Sequence, residues 1–378
     1  MYLQKLSNKK GASLVLVAIS IFTLVAIVAL VIDIGRLYVA KQRAQNVADA
    51  SAIAGAWLLD GTAACTSPGA QPEATAQQVA LHNNTNNPSW IVTTLEGAEG
   101  VDVDFPTTFQ ADDGSTITVP IGNAIRVQCR TPVSHLFARV FGGTQSQPKA
   151  EAVVIRTSVS SFTHPFVPWV VADTTIWDTS VEPPVPKLSL GDDPTVLKIV
   201  NPKSSDNFIG PGNFLCVAYE GDRGGNDYRD RIKGLGDPVT IDTDGTIELS
   251  TEPGNMIGPT FQGLEYRLSQ DTVFPSPAED ATAFEEWRSI YESTGEIIDT
   301  PRIIIVPIAE DPGGDLSGRK ELNVVGFAAF FIESFDRKDG TVTGRFLSGT
   351  TNGDVTRWNF GDAGTSDRNL LLTLKLVT

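Results

Sequence analysis

The feature that most constrains this chain is an uninterrupted apolar segment near its beginning. Residues 11–32 contain no formally charged side chain and consist mainly of leucine, valine, isoleucine, alanine and phenylalanine. As a helix rising about 1.5 Å per residue, this segment reaches roughly 33 Å, which is enough to cross the hydrocarbon core of a bilayer. The sequence therefore predicts a membrane-spanning helix over residues 11–32.

A cleaved secretory signal peptide is the alternative explanation of this segment. The apolar part of a signal peptide usually runs about 7–15 residues and leads to a cleavage site of small residues. Here the apolar segment is longer and is followed by Asp33-Ile34-Gly35-Arg36. The length and the charged exit favour a helix that is retained as an anchor.

The charges on the two sides of this segment predict its orientation. Residues 1–10 contain Lys5, Lys9 and Lys10 and no acid. By the positive-inside rule this basic segment stays in the cytoplasm, and the chain beyond about residue 35 lies outside it. Residues 1–56 carry a net charge of +4. Because the whole chain carries −16, residues 57–378 carry −20. So acidic a body repels phosphate backbones, and we expect no nucleic-acid partner.

Helical character continues beyond the predicted membrane surface, over residues 33–59. This stretch has no proline, and it places alanine at every fourth position from Ala40 to Ala56, which forms one smooth ridge along a helix. The ridge packs either on the chain's own domain or on a second subunit, including another copy of the chain. The candidate partner contacts on this helix are Asp33, Arg36, Ala40, Ala44, Ala48 and Ala52.

The charged side chains of Asp33 and Arg36 have two possible roles. Their spacing permits an i,i+3 ion pair between them, with ordinary solvation at the membrane interface. In the alternative, Asp33 pairs with a basic group on a partner helix.

The histidines and cysteines give little support to catalysis. His82, His135 and His164 form neither an H-x-x-x-H nor an H-E-x-x-H pair, and no G-x-S-x-G motif is present. We therefore predict no catalytic, cofactor-binding or metal-binding residue, no cofactor and no enzymatic activity. An anchored hydrolase that uses paired carboxylates is a minor alternative.

Three cysteines outside the cytoplasm can form at most one internal disulfide. Cys65 and Cys129 fall in the same predicted module and are the candidate pair, with two free thiols as the open alternative. Cys216 lies in an apolar strand and is predicted to be a buried thiol.

The remainder of the chain carries mainly strand signals. Aspartate–glycine pairs between alternating flanks predict hairpins at 113–114, 244–245 and 339–340, apolar runs predict strands at 302–308, 322–332 and 369–377, and one helix is predicted at 278–292. Prolines concentrated in 161–196 indicate a linker or an edge-strand region. The predicted order is a cytoplasmic segment 1–10, a membrane helix 11–32, its extension 33–59, a small α+β module 60–160, the proline-rich region 161–196 and a β-rich domain 197–378.

The run Asp33-Ile34-Gly35-Arg36-Leu37-Tyr38, followed by Gln45, Ala48-Asp49-Ala50 and Ala54-Gly55-Ala56, resembles the N-terminal module of TadG-like proteins of bacterial Tad/Flp pilus assembly. The later runs 126–133, 137–142 and 150–152 are similar to the stretch that often follows in that family, where a strand, a short helix and a return strand pack on the long helix. The resemblance implies an α+β fold, in which a long transmembrane helix extends into a small pilin-like module before a β-rich extracytoplasmic domain.

The resemblance also implies a function. It suggests a non-enzymatic, single-pass component of a pilus assembly apparatus in the bacterial cytoplasmic membrane, with other pilus-assembly proteins as partners. Pilin-type precursors are cut after a glycine, which makes Gly11 and Ala12 a candidate processing site, although Leu16 stands where those precursors carry glutamate. An anchored adhesive or surface-binding protein unrelated to pilus building is the second interpretation.

Overall fold

The structure is a computed structural model in which the chain divides into two compact units. Unit 1 comprises Met1–Ile155 with Lys375–Thr378, and unit 2 comprises Arg156–Leu374. The structure describes residues 7–85, 101–110, 114–130, 132–181, 184–199, 213–219, 221–222, 224–243, 246–251, 256–274, 282–294, 300–310, 319–351, 356–359, 368 and 370–377.

In the first part of the chain, the described residues form two helices and seven strands. The helices are α1 (Ser7–Ala56) and α2 (Gln71–Thr85), and α1 with its 50 residues is about 75 Å long. The strands are β1 (Val101–Asp104), β2 (Thr108–Gln110), β3 (Thr116–Thr118), β4 (Ala124–Arg130), β5 (Val133–Ser134), β6 (Gln145–Ser146) and β7 (Lys149–Ser158). Short 3-10 turns occupy Ala64–Thr66 and Ala138–Phe141.

Strands β1, β4 and β7 pair antiparallel in that order, and the core of unit 1 lies between these strands and the helices. Helix α1 packs on α2 and on β4. Directly opposed residues of antiparallel strands share a face of the sheet. One such row contains Ile125, Val127 and Cys129 of β4 with their partners on β7, and all of these are buried.

The alanine ridge of α1 is part of this core. Ala44, Ala48, Ala52 and Ala56 have no exposed surface. Gly55 lies beside them, and a Cβ atom added there would be 2.5 Å from Ile125 Cδ1 and 2.8 Å from the backbone oxygen of Pro72. Small side chains on α1 therefore let α2 and β4 approach the helix backbone closely.

We predict that Gly55→Ala destabilises unit 1. Alanine gains up to about 1 kcal/mol of helix propensity over glycine, but the clash with α2 and β4 costs about 1–3 kcal/mol. The matched control is Gly35→Ala on the same helix, where an added Cβ meets nothing within 4 Å. Melting of the full chain in detergent micelles, followed by circular dichroism, should show a lower midpoint for Gly55→Ala only; equal midpoints for both variants would contradict this packing.

Unit 2 contains three helices and most of the strands. The helices are α3 (Gly224–Ile232), α4 (Ile257–Ser269) and α5 (Ala283–Thr294). The strands are β8 (Ser161–His164), β9 (Trp169–Ala172), β10 (Trp177–Asp178), β11 (Val185–Pro186), β12 (Thr195–Ile199), β13 (Asn213–Ala218), β14 (Val239–Asp242), β15 (Thr246–Thr251), β16 (Ile303–Ala309), β17 (Arg319–Asp336), β18 (Thr341–Thr351), β19 (Thr356–Asn359) and β20 (Leu371–Val377).

Six strands of unit 2 pair in a closed ring. The ring runs β12-β13-β9-β16-β17-β18 and returns to β12, with β12/β13 and β9/β16 parallel and the other pairs antiparallel. Alternate side chains from all six strands enter one buried cluster, which we call the inner cluster; examples from successive strands of the ring are Leu197, Phe214, Trp169, Val306, Phe330 and Val342. Because every strand of the ring contributes to this cluster, it forms the interior of the ring.

Helical residues join the buried clusters on both faces of these strands. Phe261 and Leu264 of α4 join the inner cluster. Phe284 and Trp287 of α5 pack on the opposite face, in a second cluster that includes Val170 and Ile305. The aromatic face predicted for the helix at 278–292 is therefore core, and the body is β-rich as predicted.

The hairpin predictions had mixed outcomes. The turn before β18 contains Gly340 at φ +69°, and β17 and β18 pair across it as predicted. The strands flanking the 113–114 pair, β2 and β3, also form a hairpin, although residue 113 itself lies outside the described residues. The hairpin predicted at 244–245 is wrong. Residues 244 and 245 themselves lie outside the described residues, but the strands on either side of them do not pair with each other: β14 pairs with β8, and β15 pairs with β17. An alternating pattern specifies a half-buried strand without specifying its partner.

The proline-rich segment 161–196 is not a linker. It supplies β9, whose four residues are all buried in the ring. Pro168 precedes this strand and accepts a hydrogen bond from the Val217 N–H at 3.0 Å. A proline lacks only the backbone donor, so its carbonyl still joins the pairing pattern.

A buried ion pair lies next to the start of β16. Arg302 Nε donates to Asp271 Oδ2 at 2.9 Å, and both side chains are 0% exposed. The same guanidinium donates to the backbone oxygens of Ile332 and Phe274. This network connects the start of β16 to the segment that follows α4.

We predict that Arg302→Met destabilises unit 2 by about 3–5 kcal/mol, because it leaves the buried carboxylate of Asp271 without its cation. The control is Arg337→Met, whose partner Glu265 is about half exposed and whose loss should cost no more than about 1 kcal/mol. Denaturant unfolding followed by fluorescence of the buried tryptophans checks both. Equal midpoints for the two variants would mean that the buried pair contributes no more than a surface pair.

Candidate functional site

The apolar part of α1 is exposed along its length. Within the residues that the structure describes, α1 is the one helix long and apolar enough to cross a membrane. Large side chains from Leu14 to Ile32 are 40–73% exposed. A row of this kind is unfavourable in water and suits a lipid environment. The first charged side chain after this row is Asp33.

Asp33 is buried, although it directly follows the apolar row. Its side chain is 4% exposed. Its carboxylate accepts three backbone hydrogen bonds, from Leu136 at 2.9 Å, Phe137 at 2.9 Å and Ala138 at 2.8 Å. These N–H groups lie at the start of the 3-10 turn Ala138–Phe141, where backbone donors have no partner within the turn. Asp33 therefore acts as a capping residue from more than one hundred positions away in the sequence.

Arg36 binds the same segment of the chain. Its Nη1 donates to the backbone oxygen of Ser134 at 3.0 Å. We call residues 133–139 the exit loop. Asp33 and Arg36 are each bound to the exit loop, the acid through backbone donors and the base through a backbone acceptor. Together they fix this loop beside the point where α1 leaves its apolar section.

The three backbone donors also determine the ionisation of Asp33, which lies just outside the membrane-spanning residues 11–32. Burial alone would raise the pKa of this carboxyl group. The hydrogen bonds from Ala138, Leu136 and Phe137, with a smaller contribution from His135, outweigh burial and lower the pKa below its ordinary value. Asp33 is therefore a carboxylate at neutral pH.

The structure places the predicted partner contacts of α1 inside unit 1. Ala40, Ala44, Ala48 and Ala52 are all buried within the chain. This outcome matches the first of the two interpretations, packing on the chain's own domain, and corrects the use of these residues as a subunit surface. The carboxylate of Asp33 is likewise held by the exit loop, which removes the basis for pairing it with a partner helix.

Gln45 shows how α1 is attached to the sheet above the exit loop. Its Nε2 donates to the backbone oxygen of Glu151 on β7 and to Asp49 Oδ1, both at 2.8 Å. Gln45 and Asp49 both lie in the run that resembles the Tad family. The residues that carry the resemblance therefore contact the chain's own module.

The predicted disulfide between Cys65 and Cys129 is not formed. Both are buried free thiols, as the alternative allowed. Cys65 Sγ is 3.8 Å from the oxygen of Gly122, just before β4 begins, whereas Cys129 is near the far end of that strand. Seven residues of extended chain separate these positions by about 20 Å, and a disulfide needs Cα atoms within about 7 Å.

Burial makes these thiols unreactive. It raises the pKa of Cys129 to about 12 and also raises the pKa of Cys65. Cys216 is buried in β13, as predicted, with its Sγ 3.0 Å from Tyr228 Oη. The same hydroxyl accepts from Trp169 Nε1 at 3.0 Å. This cluster satisfies polar groups inside the ring of unit 2.

The remaining titratable groups that the structure describes do not form a recognisable reaction centre. Among the described residues, no cluster of three or more histidine, cysteine, aspartate or glutamate side chains is arranged to hold a metal ion. His164 lies between the rings of Phe162 and Phe166, and burial lowers its pKa to about 4. It is therefore neutral at pH 7 and packs as an aromatic side chain.

Sequence reasoning missed the exit loop. Its residues are separated from Asp33 by about one hundred positions, and nothing local in the sequence indicates a capping role for that aspartate. The one available signal was the resemblance of 126–133 and 137–142 to a segment that packs on the long helix. Two helices of unit 2, α3 and α4, were not predicted from the sequence either.

The geometry defines an α+β protein anchored by one long N-terminal helix and continued by a β-rich body. Comparison with protein families finds two models that match this chain. The Tad model, described as Flp pilus-assembly TadE/G-like, matches residues 11–58. The Tad_C model, described as Tad-like Flp pilus-assembly, matches residues 54–153. These two matches, across residues 11–153, support a TadG-like protein. Comparisons with curated proteins and with solved structures find no match.

The two matched regions coincide with structural parts of unit 1. Residues 11–58 comprise α1 from Gly11 to its end at Ala56 and the two residues that follow. The candidate processing site Gly11-Ala12 lies inside the helix. Residues 54–153 cover α2, the sheet and the exit loop. The contact between Asp33 and the exit loop thus joins one family region to the other.

We predict that Asp33→Ala releases the exit loop without unfolding the rest of unit 1. Three backbone donors would lose their acceptor, so hydrogen exchange in a peptide covering 134–139 should accelerate by about tenfold or more. The control is Lys41→Ala, an exposed change on the same helix. The prediction fails if exchange in that peptide is the same in both variants.

The lowered pKa of Asp33 gives this contact a defined pH dependence. An ordinary carboxyl group titrates near pH 4. Because the folded value is lower, the stabilisation is fully present above that pH and is lost only as the pH falls through the lowered value. Protection of the exit loop in the parent protein should therefore persist from pH 7 to about pH 4 and decline below it.

Proposed function

We propose that the chain is a non-enzymatic, membrane-anchored component of a Tad/Flp-type pilus assembly apparatus. In this proposal it presents an acidic, β-rich unit outside the cytoplasmic membrane for contacts with other pilus subunits. The observation that carries the proposal is the match of residues 11–153 to two consecutive pilus-assembly families. Those families consist of assembly components, which supports a pilus-associated role over an enzymatic one.

The proposed orientation rests on charge. Lys5, Lys9 and Lys10 precede the apolar helix and favour a cytoplasmic N-terminus. Unit 1, from Asp33 onward, and unit 2 are then extracytoplasmic. The exposed apolar row on α1 supports insertion in a bilayer, because none of the residues that the structure describes in unit 1 covers it.

The proposed contacts with other subunits fall on the outer surfaces of the two units. The alanine ridge is occupied by α2 and β4, so contacts with other proteins, or with a second copy, use other surfaces. The net charge of −20 on residues 57–378 favours basic partner surfaces and makes the strength of such contacts sensitive to salt.

Deletion of the gene in its own bacterium, with complementation by the full-length chain, tests the role. We expect the deletion strain to lack pili in electron micrographs and the complemented strain to regain them. Pili of normal number in the deletion strain would reject the proposal. If such a strain instead loses surface adhesion, the adhesive alternative replaces it.

A topology measurement tests the orientation separately. Epitopes are added to each end of the chain, and protease is applied to intact spheroplasts. We expect loss of the C-terminal epitope and protection of the N-terminal one. The opposite pattern would reverse the orientation, and protection of both epitopes would place the body inside the cell.

A further inference from the structure

The exit loop lies at the level where α1 leaves its apolar section. The carboxylate of Asp33 is within 2.9 Å of the backbone nitrogens of Leu136 and Phe137. Asp33 directly follows the apolar residues 11–32. If those residues span the bilayer, the backbone of the exit loop lies at the membrane surface.

Two of the side chains that the exit loop presents at this level are apolar and exposed. Leu136 is 56% exposed and Phe137 is 41% exposed, although their backbone N–H groups are bound to Asp33. On α1 itself, Ile34 and Tyr38 are also exposed close to this level. Tyrosine is enriched at membrane–water interfaces, where its ring meets both apolar and polar surroundings. The exit loop and α1 therefore both expose apolar side chains near the residue where the apolar section ends.

The charge around this surface has the sign that suits lipid headgroups. Arg36 and Arg139 are exposed and lie on the helix and on the loop. Lys41 and Arg43 follow within two turns of α1. The nearest acid, Asp33, is buried and bound to three N–H groups. Positive charge beside exposed apolar side chains is the composition of interfacial membrane-binding segments.

We propose that the exit loop is a second membrane-contact element, in which Leu136 and Phe137 insert into the bilayer interface and the neighbouring arginines contact anionic headgroups. The proposal rests on α1 spanning the membrane and goes beyond the pilus role. A helix alone leaves the attached domain free to rotate about the helix axis. A second contact beside the helix fixes which face of unit 1 is turned toward the bilayer.

The experiment places an environment-sensitive label on the exit loop of the full-length protein. Leu136→Cys is labelled with an NBD fluorophore, and the protein is reconstituted in phosphatidylcholine vesicles containing phosphatidylglycerol, with and without doxyl-labelled lipid. The three native cysteines are buried, so the unsubstituted protein treated in the same way gives the background.

Ile121→Cys provides a matched control. Ile121 is 54% exposed, comparable to Leu136. The next residue, Gly122, accepts a hydrogen bond from Gly61, which follows the end of α1. The helix rises about 35 Å between residues 33 and 56, so this position lies well away from the bilayer surface.

We expect doxyl lipid to quench about half or more of the emission at position 136 and less than about a tenth at position 121, with blue-shifted emission at 136 only. Equal quenching at the two positions would overturn the proposal. A blue shift at 136 without quenching would also overturn it, because another protein surface would then cover the loop. Replacing phosphatidylglycerol by phosphatidylcholine should reduce the quenching at 136 and tests the contribution of the arginines.

Carbonate extraction of the vesicles separates this result from a failure of the anchor. Protein that stays in the membrane but shows no quenching at 136 refutes the exit-loop contact alone. Protein that is released by carbonate refutes the spanning helix and, with it, both proposals. Neither outcome depends on whether the bacterium assembles pili.

Discussion

The structure of unit 1 depends on one helix that meets two different environments. Up to Ile32, α1 exposes large apolar side chains on all sides, which suits lipid. From Ala40 onward the same helix turns a ridge of alanines toward its own domain. Lipid favours bulky apolar surface, whereas close packing of helix on helix and sheet favours small side chains. The change in side-chain size along α1 therefore marks the change from membrane to domain.

At the boundary between these two sections of α1, the free energy of a charged side chain depends strongly on its hydrogen-bond partners. A carboxylate at the edge of a bilayer loses hydration, and burying it without partners is costly. Asp33 avoids this cost because three backbone donors replace water. The exit loop gains as well, since the N–H groups at the start of its 3-10 turn obtain an acceptor that the turn itself lacks. Each partner thus satisfies a requirement of the other, and the contact locates the domain relative to the membrane surface.

The parts of the fold that could be predicted from sequence are those determined by local pattern. The membrane helix follows from hydropathy over consecutive residues, and β16, β17 and α5 follow from apolar runs and helical spacing. Pairing partners follow from long-range packing, which is why β15 was assigned to β14 instead of β17. The role of Asp33 was inaccessible for the same reason. A carboxylate at that position fits solvation, an ion pair with Arg36 or a cap, and only the folded chain brings the exit loop beside it.

The contacts that attach the sheet to α1 include the cap at Asp33, the Gln45 bridge to Glu151 and the close approach at Gly55. All three fall within the matched residues 11–153. A chain that must hold a small domain against a membrane helix is constrained at these positions, because each one requires a particular size or charge. Unit 2 has its own closed ring and its own buried clusters. Whatever surface unit 2 presents to other proteins, its attachment to the membrane is determined by unit 1.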